Sequence, residues 1–99
     1  MIRMSVMYPN EKGKRFDVNY FATKHMALVH KLLNSTGLVK AEVDKAADPN
    51  APFIAVAHLY YRSMEECQTG FFTHAAELTA DMPNYTDLVP QVQFSEILK

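Results

Sequence analysis

The stretch Phe53 to Tyr61, Phe-Ile-Ala-Val-Ala-His-Leu-Tyr-Tyr, has one clearly polar member, His58. A strand with one wet face alternates apolar and polar residues, so this run predicts a central strand covered on both faces. Behind it, Arg62 leads into Ser63-Met64-Glu65-Glu66, a capping box in which the Ser63 hydroxyl and the Glu66 carboxylate each satisfy a free backbone N–H. A helix therefore starts at about Met64. That helix covers one face of the strand, and a chain of 99 residues has little left for the other unless a second subunit supplies it.

The rest of the chain supplies the remaining elements. Ile2, Met4, Val6 and Tyr8 alternate with Arg3, Ser5 and Met7 as a first strand that stops at Pro9-Asn10. Glu11 to Arg15 reads as a charged, solvated loop, without the glycine-rich cradle a phosphate site needs. Asp17 is a good N-cap, flanked by Phe16 and Phe21 as a hydrophobic staple. Phe21, His25, Leu28, Val29 and Leu32 then mark the buried face of a helix that runs to about Asn34 and stops at Gly37. Leu38 to Lys45 alternates as a second strand, and Ala47 to Pro52 is a turn-rich link to the central one. Met64, Cys67, Phe71, His74, Ala75 and Leu78 make the inward stripe of a second helix ending near Asp81, before Pro83. A last strand runs from about Leu88 to Leu98, with Pro90 placing its early part at an edge or bulge.

The order β-α-β, β-α-β over a single domain, residues 1–99, predicts an α+β fold: a ferredoxin-like four-stranded antiparallel sheet with both helices on one face and strands one and three central. The helix-free face of an apolar central strand argues for a homodimer packed sheet to sheet. Charge asymmetry agrees, since residues 1–49 carry eight basic and five acidic groups and residues 50–99 carry two and six. A net charge of −1 leaves no electrostatic footprint for nucleic acid or an anionic membrane. No apolar run approaches the ~18 residues of a membrane span, and Met1 to Ser5 lacks the layout of a secretory signal, so a cytoplasmic location is expected. Cys67, the single cysteine, forms no disulfide framework and reads as a buried structural thiol.

His25 is the principal candidate for chemistry. It lies in an apolar stripe, where an unpaired polar group is costly, so it is either a satisfied core histidine or a proton-moving group facing a cavity between helix one and the sheet. His74 holds a comparable place on helix two and His58 lies on the central strand, so the three are expected to converge, whereas His30 points away into solvent. None has His-Glu-x-x-His or His-x-His spacing, and no metal site is expected. Tyr8, Tyr60 and Tyr61 are expected at one edge of the two central strands taken as parallel, with Tyr85 and Asp87 in the loop after helix two. Phenols beside a histidine can orient a small oxygenated substrate, although they also mark an ordinary core boundary.

Tyr8-Pro9-Asn10, Phe16-Asp17 with Tyr20, His25-Met26, Leu28-Val29, Val43-Asp44, His58-Leu59-Tyr60, His74-Ala75 and Pro83-Asn84-Tyr85-Thr86-Asp87 together resemble the EthD family over essentially the whole chain. Ala27 stands where relatives often have proline, which favours a regular helix around His25. The resemblance implies a dimeric α/β barrel of two ferredoxin-like sheets. Relatives with that fold include cofactor-free oxygenases, isomerases and cyclases of aromatic or polyketide compounds. The expected function is accordingly a cofactor-independent enzyme acting on a hydrophobic aromatic, polyketide-like or lactone compound. His25 would be the general acid or base, with Tyr8, His58, His74, Tyr85 and Asp87 binding substrate. The alternative is a non-catalytic dimeric module that binds a small hydrophobic ligand or assists a degradation pathway.

Overall fold

In the computed structural model, which describes all of Met1–Lys99, the Phe53–Tyr61 run is the longest strand. In chain order the elements are β1 (Ile2–Pro9), α1 (Val18–Tyr20), a π-helical turn (Phe21–His25), α2 (Met26–Leu33), β2 (Lys40–Lys45), β3 (Phe53–Tyr61), α3 (Met64–Asp81) and β4 (Gln91–Glu96). Short 3₁₀ turns follow α2 and α3. The sheet order is β2-β3-β1-β4 with every neighbour antiparallel, which is the ferredoxin-like topology. The molecule measures 18 Å along its thinnest axis, room for two layers, so the sheet has helices on one face only.

Alternation along the strands assigns every side chain to a face. On β3, Ala55, Ala57, Leu59 and Tyr61 are buried beneath the helices. From β1, Met4 and Tyr8 join them. Met26, Val29 and Leu33 of α2 and Cys67 and Leu78 of α3 close over this layer. Each leucine, valine or methionine among them contributes about 1.5–3 kcal/mol by leaving water. Cys67 is fully buried, and burial pushes its thiol pKa up, as a structural cysteine requires. The opposite face of β3 carries Ile54 and Val56 and then turns polar at His58 and Tyr60. Arg3, Ser5, Glu42 and Asp44 share it by register.

The caps behave as their residues dictate. The Asp17 carboxylate accepts from the Tyr20 N–H at 3.1 Å, and Phe16 packs on Phe21 with ring centroids 5.2 Å apart. The Ser63 hydroxyl accepts from the Glu66 N–H at 3.1 Å. Gly37 ends the first helical rod at φ 98°, a left-handed conformation that glycine takes without a Cβ penalty. Gly70 serves a different purpose, because a Cβ there would sit 2.6 Å from the Thr36 hydroxyl. Its absence lets α3 lie close against the 3₁₀ turn that carries Thr36.

Three expectations need correcting. The two central strands are antiparallel, pairing Ile2 with Tyr61 and Tyr8 with Ala55, so Tyr60 and Tyr61 lie at the opposite end of the sheet from Tyr8. The β2-β3 hairpin reverses the chain once between β1 and β3, which makes any other arrangement impossible. The first helix is not regular, because Phe21–His25 forms a π turn. The Thr23 hydroxyl donates to the Asn19 carbonyl at 2.6 Å, which engages an acceptor of the main-chain ladder and favours a locally wider turn. Finally, β2 and β4 are shorter than the apolar pattern suggested, with Leu38, partly buried, and Leu88, buried, packing on the core from outside the ladder.

Candidate active site

The π turn places His25 on the inner side of the rod, 6% exposed, and gives both of its ring nitrogens a partner. Nδ1 lies 2.9 Å from Asp81 Oδ2, at the last residue of α3. Nε2 lies 3.3 Å from the Tyr85 hydroxyl, and that hydroxyl is 2.6 Å from the hydroxyl of Tyr8 at the end of β1. Asp81, His25, Tyr85 and Tyr8 thus form one continuous chain of hydrogen-bonding groups drawn from both helical rods, a loop and the central sheet. Tyr85 is fully buried and in aromatic contact with Tyr8, Phe16, Phe21, Tyr20 and His25, the last at 4.6 Å between ring centroids. Such packing leaves these rings little freedom to turn away from one another.

Electrostatics fix the state of each member. Burial alone would push the Asp81 carboxyl up, but hydrogen bonds from His25, Asn84 at 3.0 Å and Tyr20 at 2.8 Å outweigh it and hold its pKa below the ordinary value. Asp81 is therefore an anion at neutral pH. Burial raises the Tyr8 phenol. Burial raises Tyr85 further, aided by the proximity of Tyr8, so both phenols keep their protons.

A cavity of about 260 Å³ opens beside this chain, between the helices and the β1-β4 side of the sheet. Val6, Met26, Val29, Leu59, Leu78 and Val92 form much of its wall, and Tyr8, His25 and Thr79 are its hydrogen-bonding side chains. No lysine, arginine or carboxylate lines it. Its chemistry suits a small, neutral, largely apolar molecule with an oxygen function at the Tyr8–His25 end. A broader, shallow hollow of about 470 Å³ near Thr36, Ser63 and Thr69 is polar throughout and remote from this chain.

The structure brings together His25, Tyr8 and Tyr85 and separates the other expected site residues from them. His58 is on the helix-free face, with Nε2 2.7 Å from Asp44 and Nδ1 3.3 Å from the Ser5 hydroxyl. His74 is a partly exposed helix residue 3.3 Å from Glu77 and does not line the cavity. Asp87 is exposed, 3.4 Å from Arg15, whose guanidinium also donates to the Pro83 carbonyl. That pair pins the loop holding Tyr85 to the chain before α1. Asp81 is the site residue that sequence reasoning missed. It entered only as a helix end, and nothing local shows that the last turn of α3 abuts His25. No three histidine, cysteine, aspartate or glutamate side chains come together in a metal-holding group.

A ferredoxin-like domain with a buried carboxylate–histidine–tyrosine chain beside an apolar cavity is the class these observations define. The chain belongs to the EthD family: an EthD domain matches residues 13–88. It is similar to the crystal structure of an EthD-like protein from Ralstonia eutropha at 33% identity and a TM-score of 0.87, covering 99% of this chain and 92% of that one. An ethyl tert-butyl ether D (EthD) family protein from Bacillus halodurans matches at 14% identity and TM-score 0.68, covering 99% of each chain. A Shewanella loihica protein, given the provisional name of a monooxygenase, matches at 8% identity and TM-score 0.66, covering 99% of this chain and 95% of that one. The two latter likenesses show the shared fold. No curated protein matches.

Proposed function

We propose that this EthD-family chain is a small cofactor-independent enzyme that moves a proton on a hydrophobic, oxygen-bearing molecule of aromatic, polyketide-like or lactone type, with His25 as the general acid/base. The observation that carries the reading is His25 itself, bordering an apolar cavity while fixed between the Asp81 carboxylate and the Tyr85 hydroxyl. A carboxylate on Nδ1 selects the tautomer and steadies the imidazolium that forms when the ring accepts a proton. Proton removal next to a carbonyl is the step an isomerisation needs, and it also generates the enolate that a cofactor-free oxygenation would start from. The provisional monooxygenase name of a structural relative accords with the second outcome.

The competing reading, a module that only binds its ligand, draws on the same cavity, since ten of its thirteen lining residues are hydrophobic. 2-Tetralone, a neutral bicyclic ketone with acidic α-hydrogens, separates the two. In D₂O the enzyme reading expects loss of the α-proton NMR signal faster than with heat-denatured protein. Thermal stabilisation without exchange would favour the binding module, and at 100 times its Kd the ketone would add about 2.7 kcal/mol.

We further propose that two copies pair through the helix-free sheet face. Partly buried Met7, Ile54 and Val56 lie on that face beside oppositely charged Arg3, Lys40, Glu42 and Asp44, a mixture that can complement itself across a two-fold axis. Light scattering should give twice the 11.3 kDa chain mass, and a monomer at every concentration would overturn the pairing.

A further inference from the structure

Both nitrogens of His25 are already engaged, so the ring has no free lone pair to offer the cavity. The direction of the hydrogen bonds nevertheless follows from Asp81. Its carboxylate is surrounded by three donors, His25, Tyr20 and Asn84, and can only accept. Neutral His25 therefore carries its proton on Nδ1, and its bare Nε2 accepts from the Tyr85 hydroxyl. With its own hydrogen committed to His25, the Tyr85 oxygen accepts the hydrogen of Tyr8 across 2.6 Å. The Tyr8 oxygen is left with lone pairs and no donor from the protein, and Tyr8 lines the cavity.

We propose that the Tyr8 phenol oxygen, rather than the His25 ring, takes the substrate's proton, and that Tyr85 relays the charge to His25. The inference rests on the proton-transfer reading above and assigns its contact atom. As the substrate C–H bond breaks, that proton joins the Tyr8 oxygen, the Tyr8 hydrogen moves to the Tyr85 oxygen, and the Tyr85 hydrogen moves to His25 Nε2. The products are an enolate in the cavity and an imidazolium held by the Asp81 carboxylate, with three O–H or N–H bonds formed and one C–H and two O–H bonds broken. Reversal delivers a proton to the same or another carbon. The three transfers have to be concerted, because burial keeps either phenol from existing as a free phenolate.

Two measurements test the relay independently. Long-range ¹H–¹⁵N NMR of the wild-type protein reads the His25 tautomer without any substrate. A proton on Nδ1 with Nε2 bare is expected, and a proton on Nε2 would overturn the relay whatever the activity, leaving the role of His25 itself untouched. In the 2-tetralone exchange assay, Tyr8→Phe should lose at least a hundredfold in rate, about the lower limit of an acid–base contribution, while keeping the His25 Nδ1–H resonance of the folded protein. Exchange by Tyr8→Phe at the wild-type rate, with His25→Ala inactive, would mean that the histidine meets the substrate directly and would overturn the relay alone. Full exchange by both variants would overturn the relay together with the function it rests on.

Discussion

His25→Ala is expected to slow proton exchange on 2-tetralone by about a hundred- to ten-thousandfold, the range a positioned acid–base group contributes. The reasoning follows the chain of contacts. Without the imidazole, the Tyr85 hydroxyl loses its acceptor and the Asp81 carboxylate loses the donor that connects it to the cavity. No other side chain lining the cavity can take up an additional proton and keep it at neutral pH, since Tyr8, with its raised pKa, already carries its own and Thr79 does not titrate. The fold should survive, because Asp81 keeps Tyr20 and Asn84 as partners and the aromatic cluster remains packed. The readout is the exchange rate alongside a circular dichroism melt. A folded alanine variant exchanging at the wild-type rate would remove His25 from the chemistry.

Tyr85→Ala is expected to produce the largest loss of stability, about 3–5 kcal/mol by analogy with other large aromatic-to-alanine changes. Tyr85 is fully buried, touches five rings and bonds two polar groups, so the cavity left behind cannot readily collapse. A domain of this size has only about 5–15 kcal/mol in hand, so the variant should sit near the edge of unfolding at 37 °C. Tyr85→Phe keeps the ring and loses the hydroxyl that both Tyr8 and His25 use. Its cost should be smaller, about 1–3 kcal/mol, from two hydrogen bonds lost at about 0.5–1.5 kcal/mol each. Urea unfolding of the pair separates packing from hydrogen bonding. An alanine variant as stable as the phenylalanine one would show that the ring is not a core element.

These two residues also show how differently function and fold are written into the chain. His25 could be singled out from its neighbours, because a histidine in an apolar helical stripe is conspicuous wherever the chain goes. The significance of Asp81 could not, since an acidic residue at a helix end is commonplace and its partner lies 56 positions earlier. His58 and His74 look equivalent to His25 in the sequence. Strand alternation turned His58 to the far face, and helix rotation left His74 outside the cavity wall.

What the sequence determined by itself was what local physics controls: strand and helix periods, the Asp17 and Ser63 caps, the stop at Gly37, and the order of elements that favours a ferredoxin-like sheet. Those signals act over a few residues and need no knowledge of what lies across the fold. Tertiary structure alone decided which polar groups meet. The antiparallel pairing of β1 with β3 set Tyr8 apart from Tyr60 and Tyr61, the π turn aimed His25, and the end of α3 delivered Asp81 to it. Hydrogen bonds of about 3 Å depend on the placement of whole elements, and no short-range pattern in the chain encodes that placement.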